Sequence, residues 1–145
     1  MSVPVRKRLR RLRQRLVNSR YALERTSTQG LAAWLGDLLF MMSCRRVIML
    51  NELDRELGEL HMPLKPGTKA ADPFKGAVAA ASSPEEFVRV CEEQETYLVR
   101  ALENLNMEPG LHGHTRNAIA ALLSETKANL HDIGFLRKNH PALQG

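Results

Sequence analysis

The amino-acid sequence predicts an all-α protein, and within that class a four-helix bundle. The chain of 145 residues is rich in Ala and Leu, while aromatic residues make up only 5% of it, a composition that favours helix over strand. Four long stretches space their apolar residues three and four positions apart, and no stretch alternates with period two. Four amphipathic helices must bury their apolar stripes against each other, and a bundle is the simplest arrangement that does so.

The first two helices are predicted from this spacing. In helix one, residues 5–25, apolar side chains form one stripe and arginines cover much of the remaining surface. Helix two follows Thr26–Thr28, whose hydroxyls can cap a helix N-terminus, and runs to about Leu60. Its apolar stripe has a gap near the middle, which Arg45 or Arg46 is expected to fill.

A long connection, residues 61–83, separates helix two from helix three. Two prolines and a glycine within residues 61–67 cannot continue a helix. The Ala-rich segment Phe74–Ala81 is predicted to form a short helix inside the connection. Connections of this length in compact domains are usually functional, or are crossovers with some structure of their own.

Helix three has the clearest start in the chain. Ser83-Pro84-Glu85-Glu86 is a capping box with proline at the first helical position, and the helix is predicted to end near Asn106. Helix four is predicted over Thr115–Lys138. The length suits a single domain, which we assign to residues 1–145.

Positive charge is concentrated at the N-terminus. Residues 1–25 hold nine Arg or Lys and one acid, a net charge of +8, so the rest of the chain carries −3 of the total of +5. No apolar run approaches the roughly 20 residues of a membrane span, and the N-terminus lacks the apolar segment of a secretory signal. We therefore expect a cytoplasmic protein in which Cys44 and Cys91 are reduced, buried thiols.

Several stretches of the four helices together resemble a known family. They are Tyr21-Ala22-Leu23-Glu24; Arg45-Arg46 with Asn51-Glu52-Leu53-Asp54-Arg55-Glu56-Leu57-Gly58; Val90-Cys91-Glu92-Glu93-Gln94-Glu95 through Ala101-Leu102; and Glu125, His131-Asp132 and Leu136. On these residues the chain resembles the ferritin-like four-helix bundles of bacterial proteins of unknown function, some of them associated with stress. The resemblance implies a ferritin-like fold, in which the short helix lies within the crossover between helices two and three, and it implies no activity.

A di-metal carboxylate centre is the sharpest chemical hypothesis for such a bundle. It takes a Glu from each of two helices and Glu-x-x-His from each of the other two. The expected histidines are missing, because Arg55 and Ala128 stand three residues after the glutamates of helices two and four. We therefore predict no metal, no cofactor and no enzymatic activity, with buried carboxylates paired to Arg45 or Arg46. The residues weighed for the centre are Glu24, Glu52, Glu92, Glu95, Glu125 and His131.

The arginine-rich helix one is the candidate recognition surface. Its cations can attract the phosphates of nucleic acid or anionic lipid, dock on an acidic protein, or remain solvated and partly paired with helices three and four. Nucleic acid and membrane are the less favoured partners. The predicted partner- or anion-binding residues are Arg6, Lys7, Arg10, Arg11, Arg13 and Arg20.

The sequence thus predicts a non-enzymatic helical-bundle protein that acts through protein–protein interaction or self-association, with a role in stress suggested by the resemblance. The alternatives are a ferritin-like metal-binding or oxidative-stress protein and an anion-binding module for nucleic acid or membrane surfaces. Phe40 and Phe135 fall off the main apolar stripes and would favour self-association where exposed. His112 and His114 are expected in a solvated loop rather than in a metal site.

Overall fold

The computed structural model describes residues 3–58 and 73–143, and every regular element within them is helical. This confirms the all-α prediction for those residues. No helix among them combines the length and apolar character needed to cross a bilayer. The elements are α1 (Val3–Ser27), α2 (Ala33–Leu57), α3 (Pro73–Ala80), α4 (Pro84–Asn106), α5 (Gly113–Asn139) and a final 3-10 turn (Pro141–Leu143).

The turn between α1 and α2 differs from the prediction. The hydroxyls of Thr26–Thr28 do not cap α2; they donate to α1 carbonyls three or four residues earlier. Gly30 then turns the chain with φ 71°, a left-handed conformation that glycine adopts without steric cost. The second helix begins at Ala33, after Ala32, whose side chain makes no cap hydrogen bond.

The end of α2 is set by glycine. Gly58 adopts φ 65°, and its N–H donates to the carbonyl of Asp54, which satisfies one of the last backbone acceptors of the helix. The predicted end at Leu60 and residues 61–72 of the predicted connection lie outside the described residues. The short helix expected at Phe74–Ala81 is α3, one residue earlier at each end.

The capping box at the start of α4 is confirmed in its main bond. The Ser83 hydroxyl accepts from the backbone N–H of Glu86 at 3.2 Å, and Pro84 opens the helix. The Glu86 carboxylate reaches back to the backbone N–H of Ser82 at 2.9 Å, one residue before the expected partner. The first bond satisfies a donor that the helix geometry leaves unpaired, and the second holds the residue before the cap against the first turn.

Side-chain pairs show that each long helix runs antiparallel to the two long helices beside it, because rising numbers on one meet falling numbers on the other. It follows that α2 and α4 point the same way, as do α1 and α5. The pairs are Arg6–Leu57 and Ser19–Arg46 (α1 with α2), Arg8–Glu108 and Arg15–Gln94 (α1 with α4), Arg45–Asp132 and Glu56–Thr115 (α2 with α5), and Glu92–Arg137 and Glu95–Asn129 (α4 with α5).

The apolar core is divided into two clusters. The first joins α1, α2, α4 and α5 around residues such as Leu9, Leu53, Leu102 and Ile119. The second lies toward the other end of the helices, where Phe74 and Val78 of α3 and the first half of α4 contribute. Between the clusters lie buried polar side chains: Ser19, Arg46, Glu95, Thr126 and Asn129.

Replacing the cap of α4 tests the local basis of this fold. Ser83→Ala should lower the free energy of unfolding by about 1 kcal/mol, because the N–H of Glu86 loses its acceptor. Ser124→Ala, at an exposed position within α5, is the matched control and should leave stability unchanged or slightly raised. Urea denaturation followed by circular dichroism measures both, and equal midpoints for the two variants would contradict the role of the cap.

Candidate functional site

The cations of α1 are divided between the interior and the surface. Arg13, which the sequence assigns to the recognition surface, is only 3% exposed. Its guanidinium Nε donates to the Asp54 carboxylate at 2.5 Å across the contact between α1 and α2. Position 13 borders the stripe of Leu9, Leu12 and Leu16 on the side that faces α2, so Arg13 does not belong to the exposed surface.

Three more arginines of α1 contact neighbouring helices. Arg6 donates to the carbonyl of Leu57 at 3.1 Å, at the end of α2. Arg8 pairs with Glu108 just beyond α4. Arg15 donates to the Gln94 amide oxygen at 3.2 Å and lies over the Tyr97 ring at 3.7 Å from its centroid. These contacts use part of the positive charge of the helix to hold α1 against α2 and α4.

The remaining candidate residues face outward. Lys7, Arg10 and Arg11 are exposed and follow one another at helical spacing, so they share one outer face in the first half of α1. We call these three residues the α1 cationic patch. Arg20, near the other end of the helix, lies 3.9 Å from the Glu24 carboxylate and is partly covered.

A buried ion pair lies between the two apolar clusters. The Arg46 and Glu95 side chains are both fully buried, and Arg46 Nη2 donates to Glu95 Oε2 at 2.6 Å. Arg46 Nε donates to the Ser19 hydroxyl at 2.8 Å, and the Asn129 amide donates to Glu95 Oε1 at 2.7 Å. One residue from each of the four long helices takes part. We call these four residues, Ser19, Arg46, Glu95 and Asn129, the central network.

The neighbouring Arg45 forms a second, half-buried group with α5. Its Nη1 donates to Asp132 Oδ2 and to Asn129 Oδ1, each at 2.7 Å. Asn129 therefore accepts from Arg45 and donates to Glu95, which links the central network to the edge of the helices. The expectation that Arg45 and Arg46 neutralise carboxylates is confirmed by both groups.

The carboxylates weighed for a metal centre are instead close to cations. Glu95 meets Arg46, Glu92 meets Arg137 at 3.0 Å, and Glu125 lies 4.0 Å from Arg45. Glu52 is paired with Arg55 and Glu24 lies near Arg20, while the His131 side chain is 81% exposed. Within residues 3–58 and 73–143, no three His, Cys, Asp or Glu side chains are grouped so that they can hold a metal ion.

Both histidines are exposed, as expected, but only His112 lies in the loop, because α5 begins at Gly113. His112 is the residue before the helix and His114 lies in its first turn, with the rings stacked at 6.0 Å between centroids. His114 Nδ1 is 2.9 Å from the Glu56 carboxylate, which also accepts from the Thr115 hydroxyl. His114 and Thr115 therefore help to join the start of α5 to the end of α2.

The two cysteines occupy different environments. Both are free thiols, but only Cys91 is buried, whereas Cys44 is exposed on α2, contrary to the expectation for it. Burial raises the pKa of the Cys91 thiol to about 12, and the nearby negative charge of Glu95 adds to the effect. Cys91 is thus an inert apolar side chain beside the central network.

Comparison of the chain with protein-family models, with curated proteins and with solved structures gives no match.

The central network can be tested by removing one or both charges. Arg46→Met leaves Glu95 buried without its cation and should lower the free energy of unfolding by about 3–5 kcal/mol. The double variant Arg46→Met with Glu95→Leu removes both charges and should be more stable than Arg46→Met alone. Urea denaturation of the native protein, Arg46→Met, Glu95→Leu and the double variant measures the coupling, and strictly additive losses would contradict a direct pair.

Thiol chemistry tests the placement of the cysteines. At pH 8 the folded protein should react with Ellman's reagent at Cys44 alone, and Cys91 should react only after denaturation. Cys44→Ser should abolish the reaction of the folded state. Because the pKa of Cys91 rises from 9.0 to about 12 on folding, ionisation of this thiol favours the unfolded state as pH rises through that interval. Two reactive thiols in the folded protein would contradict this placement.

Proposed function

We propose that the protein is a non-enzymatic helical protein that binds an acidic protein partner through the α1 cationic patch. The observation that carries this proposal is the exposure of Lys7, Arg10 and Arg11 on one outer face of α1. Complementary charge speeds encounter and selects a partner, and an exposed cationic cluster fits a surface rich in Asp and Glu.

The like charges of the α1 cationic patch destabilise the helix that carries them. Like charges three and four residues apart, such as Lys7 with Arg10 and with Arg11, destabilise a helix by roughly 0.2–0.5 kcal/mol for each pair. An anionic partner surface would offset this repulsion, and this supports a role in recognition.

For the architecture, we propose a four-helix bundle of ferritin-like topology. Two supports come from the described residues: α2 and α4 run in the same direction, and α3 lies within the connection between them. Parallel second and third long helices require one long crossover, and ferritin-like bundles have one such connection. The ferritin-like family and its association with stress enter the proposal through the sequence resemblance alone.

The metal-binding alternative has less support from the geometry. A carboxylate centre needs several carboxylates facing each other without bound cations. At the middle of this helix group, Glu95 faces the Arg46 guanidinium instead, and the other candidate carboxylates lie near arginines of the surface. The nucleic-acid or membrane alternative uses the same α1 cationic patch. The crosslinking experiment below distinguishes it from binding of a protein partner.

Photo-crosslinking in cells that express the native chain tests the proposed function. Benzoylphenylalanine at Gln14, an exposed position on α1 after the patch, should capture a protein with an acidic surface. Reversing the patch with Lys7→Glu, Arg10→Glu and Arg11→Glu should weaken capture roughly tenfold to a hundredfold. Three exposed pairs at about 0.5–1 kcal/mol each account for that range.

The control reverses an equal number of exposed cations on other helices. Arg89→Glu, Arg100→Glu and Lys127→Glu change the net charge by the same amount and should leave capture unchanged. Capture of nucleic acid or lipid in place of protein would support the anion-binding alternative. No capture at Gln14, or equal loss in both triple variants, would contradict a recognition role for the α1 cationic patch.

A further inference from the structure

The outer face of α2 carries an unusual stripe. Exposed residues recur along the helix at steps of three and four, so they lie on one line opposite the core. Phe40 is 58% exposed and Ile48 is 49% exposed, and the exposed Cys44 lies between them. The stripe consists of Asp37, Phe40, Cys44, Ile48, Asn51 and Arg55.

The charges on the α2 stripe lie only at its two ends. Asp37 opens it and Arg55 closes it, while the four residues between them are uncharged. Single exposed apolar residues are common on protein surfaces. A contiguous row of them bounded by polar residues is instead typical of an interaction surface. At a rise of about 1.5 Å per residue, the two charges lie about 27 Å apart along the helix.

The stripe is complementary to itself in the antiparallel direction. Asp37 and Arg55 lie nine residues on either side of position 46, and Cys44 and Ile48 lie two residues on either side. A second copy of α2, turned by a twofold rotation about an axis near position 46, brings Asp37 to Arg55 and Ile48 to Cys44 across the interface. A parallel second copy would instead place Asp37 beside Asp37 and Arg55 beside Arg55, and like charges would oppose it.

Arg55 can accept this additional partner. Its Nη1 is 3.1 Å from the Glu52 carboxylate of the same helix, and its side chain is 71% exposed. A guanidinium carries five N–H donors, so one bond to Glu52 leaves donors for a second carboxylate. Both ends of the stripe therefore suit an ion pair between two copies, with Ile48 packed against Cys44 between the pairs and Phe40 opposite position 52 of the second copy.

We propose that two copies of this chain associate through the α2 stripe as an antiparallel, twofold-symmetric dimer. The dimer goes beyond the proposed function, because it uses α2 and leaves the α1 cationic patch for another partner. Phe40 and Ile48 each occur twice in the dimer, once in each copy, so one substitution changes the interface at two places. The partner is a second copy of the same chain. The two copies make apolar contacts at the centre of the α2 stripe and ion pairs at its ends.

Sedimentation equilibrium of the full chain tests the dimer with a matched pair of variants. The native protein should sediment at twice its chain mass of 16.3 kDa at micromolar concentration. Phe40→Glu should weaken the dimer at least tenfold, whereas Phe135→Glu, at a phenylalanine that is 61% exposed on α5, should not. Circular dichroism would show both variants folded, because both positions lie on exposed surfaces.

Charge exchange tests the antiparallel pairing itself. Asp37→Arg and Arg55→Asp should each weaken the dimer, and the double variant should recover most of the native affinity because the charges match again across the twofold axis. Failure of the double variant to exceed the single variants would overturn this pairing. A native monomer up to about millimolar concentration, or equal effects of Phe40→Glu and Phe135→Glu, would overturn the dimer.

The two proposals fail independently. The triple reversal of the α1 cationic patch should leave sedimentation unchanged, since Lys7, Arg10 and Arg11 lie on a different helix from the stripe. Phe40→Glu should still permit crosslinking of a partner through Gln14. Loss of both properties in either variant would indicate that one surface serves both contacts.

Discussion

The ion pair between Arg46 and Glu95 is the interaction on which the arrangement of the long helices depends. It is fully buried, and the central network gives it Ser19 and Asn129 as further hydrogen-bond partners, so each of the four long helices supplies one residue. Buried charges are costly unless they are paired and hydrogen-bonded. Sliding any one helix by a turn would separate these partners and leave a charge or an amide unsatisfied, whereas Leu-rich clusters alone would tolerate such a shift. We infer that the network specifies helix register in a core whose other side chains are mainly apolar.

The same network determines which surfaces face solvent. Because Arg46 points to the centre, residues two positions away on either side, Cys44 and Ile48, must point outward on α2. On α1, Ser19 and Arg13 both face α2, which directs Lys7 and Arg11 away from the core. The orientation of the two proposed interaction surfaces thus follows from buried polar contacts rather than from the surface residues themselves.

Much of the fold could be predicted from the sequence, because apolar spacing, prolines and the Ser83 capping box are local signals. The four long helices and the short helix α3 follow from them. What local signals could not give is the pairing between distant residues. Arg13 stands four residues after Leu9 and three before Leu16, so its spacing places it beside the apolar stripe, but its partner Asp54 lies on the facing helix. The exposed Cys44 was missed for a related reason, since its neighbours on α2 are strongly apolar. Cys44 stands two residues before Arg46, on the nearly opposite face of α2, so its exposure can be inferred only once Arg46 is known to point inward.

The proposed recognition role gives the cations of α1 two purposes that compete. Arg13 and Arg15 stabilise the fold through contacts with Asp54 and Tyr97, whereas Lys7 and Arg11, four residues apart on the outer face, repel each other across one helical turn. A twofold dimer through the α2 stripe would carry two α1 cationic patches, so a partner with two acidic sites would bind the second intramolecularly and gain affinity without any new contact. Under the proposed function, the favourable interactions of Lys7 and Arg11 lie outside the chain, on the surface of the partner.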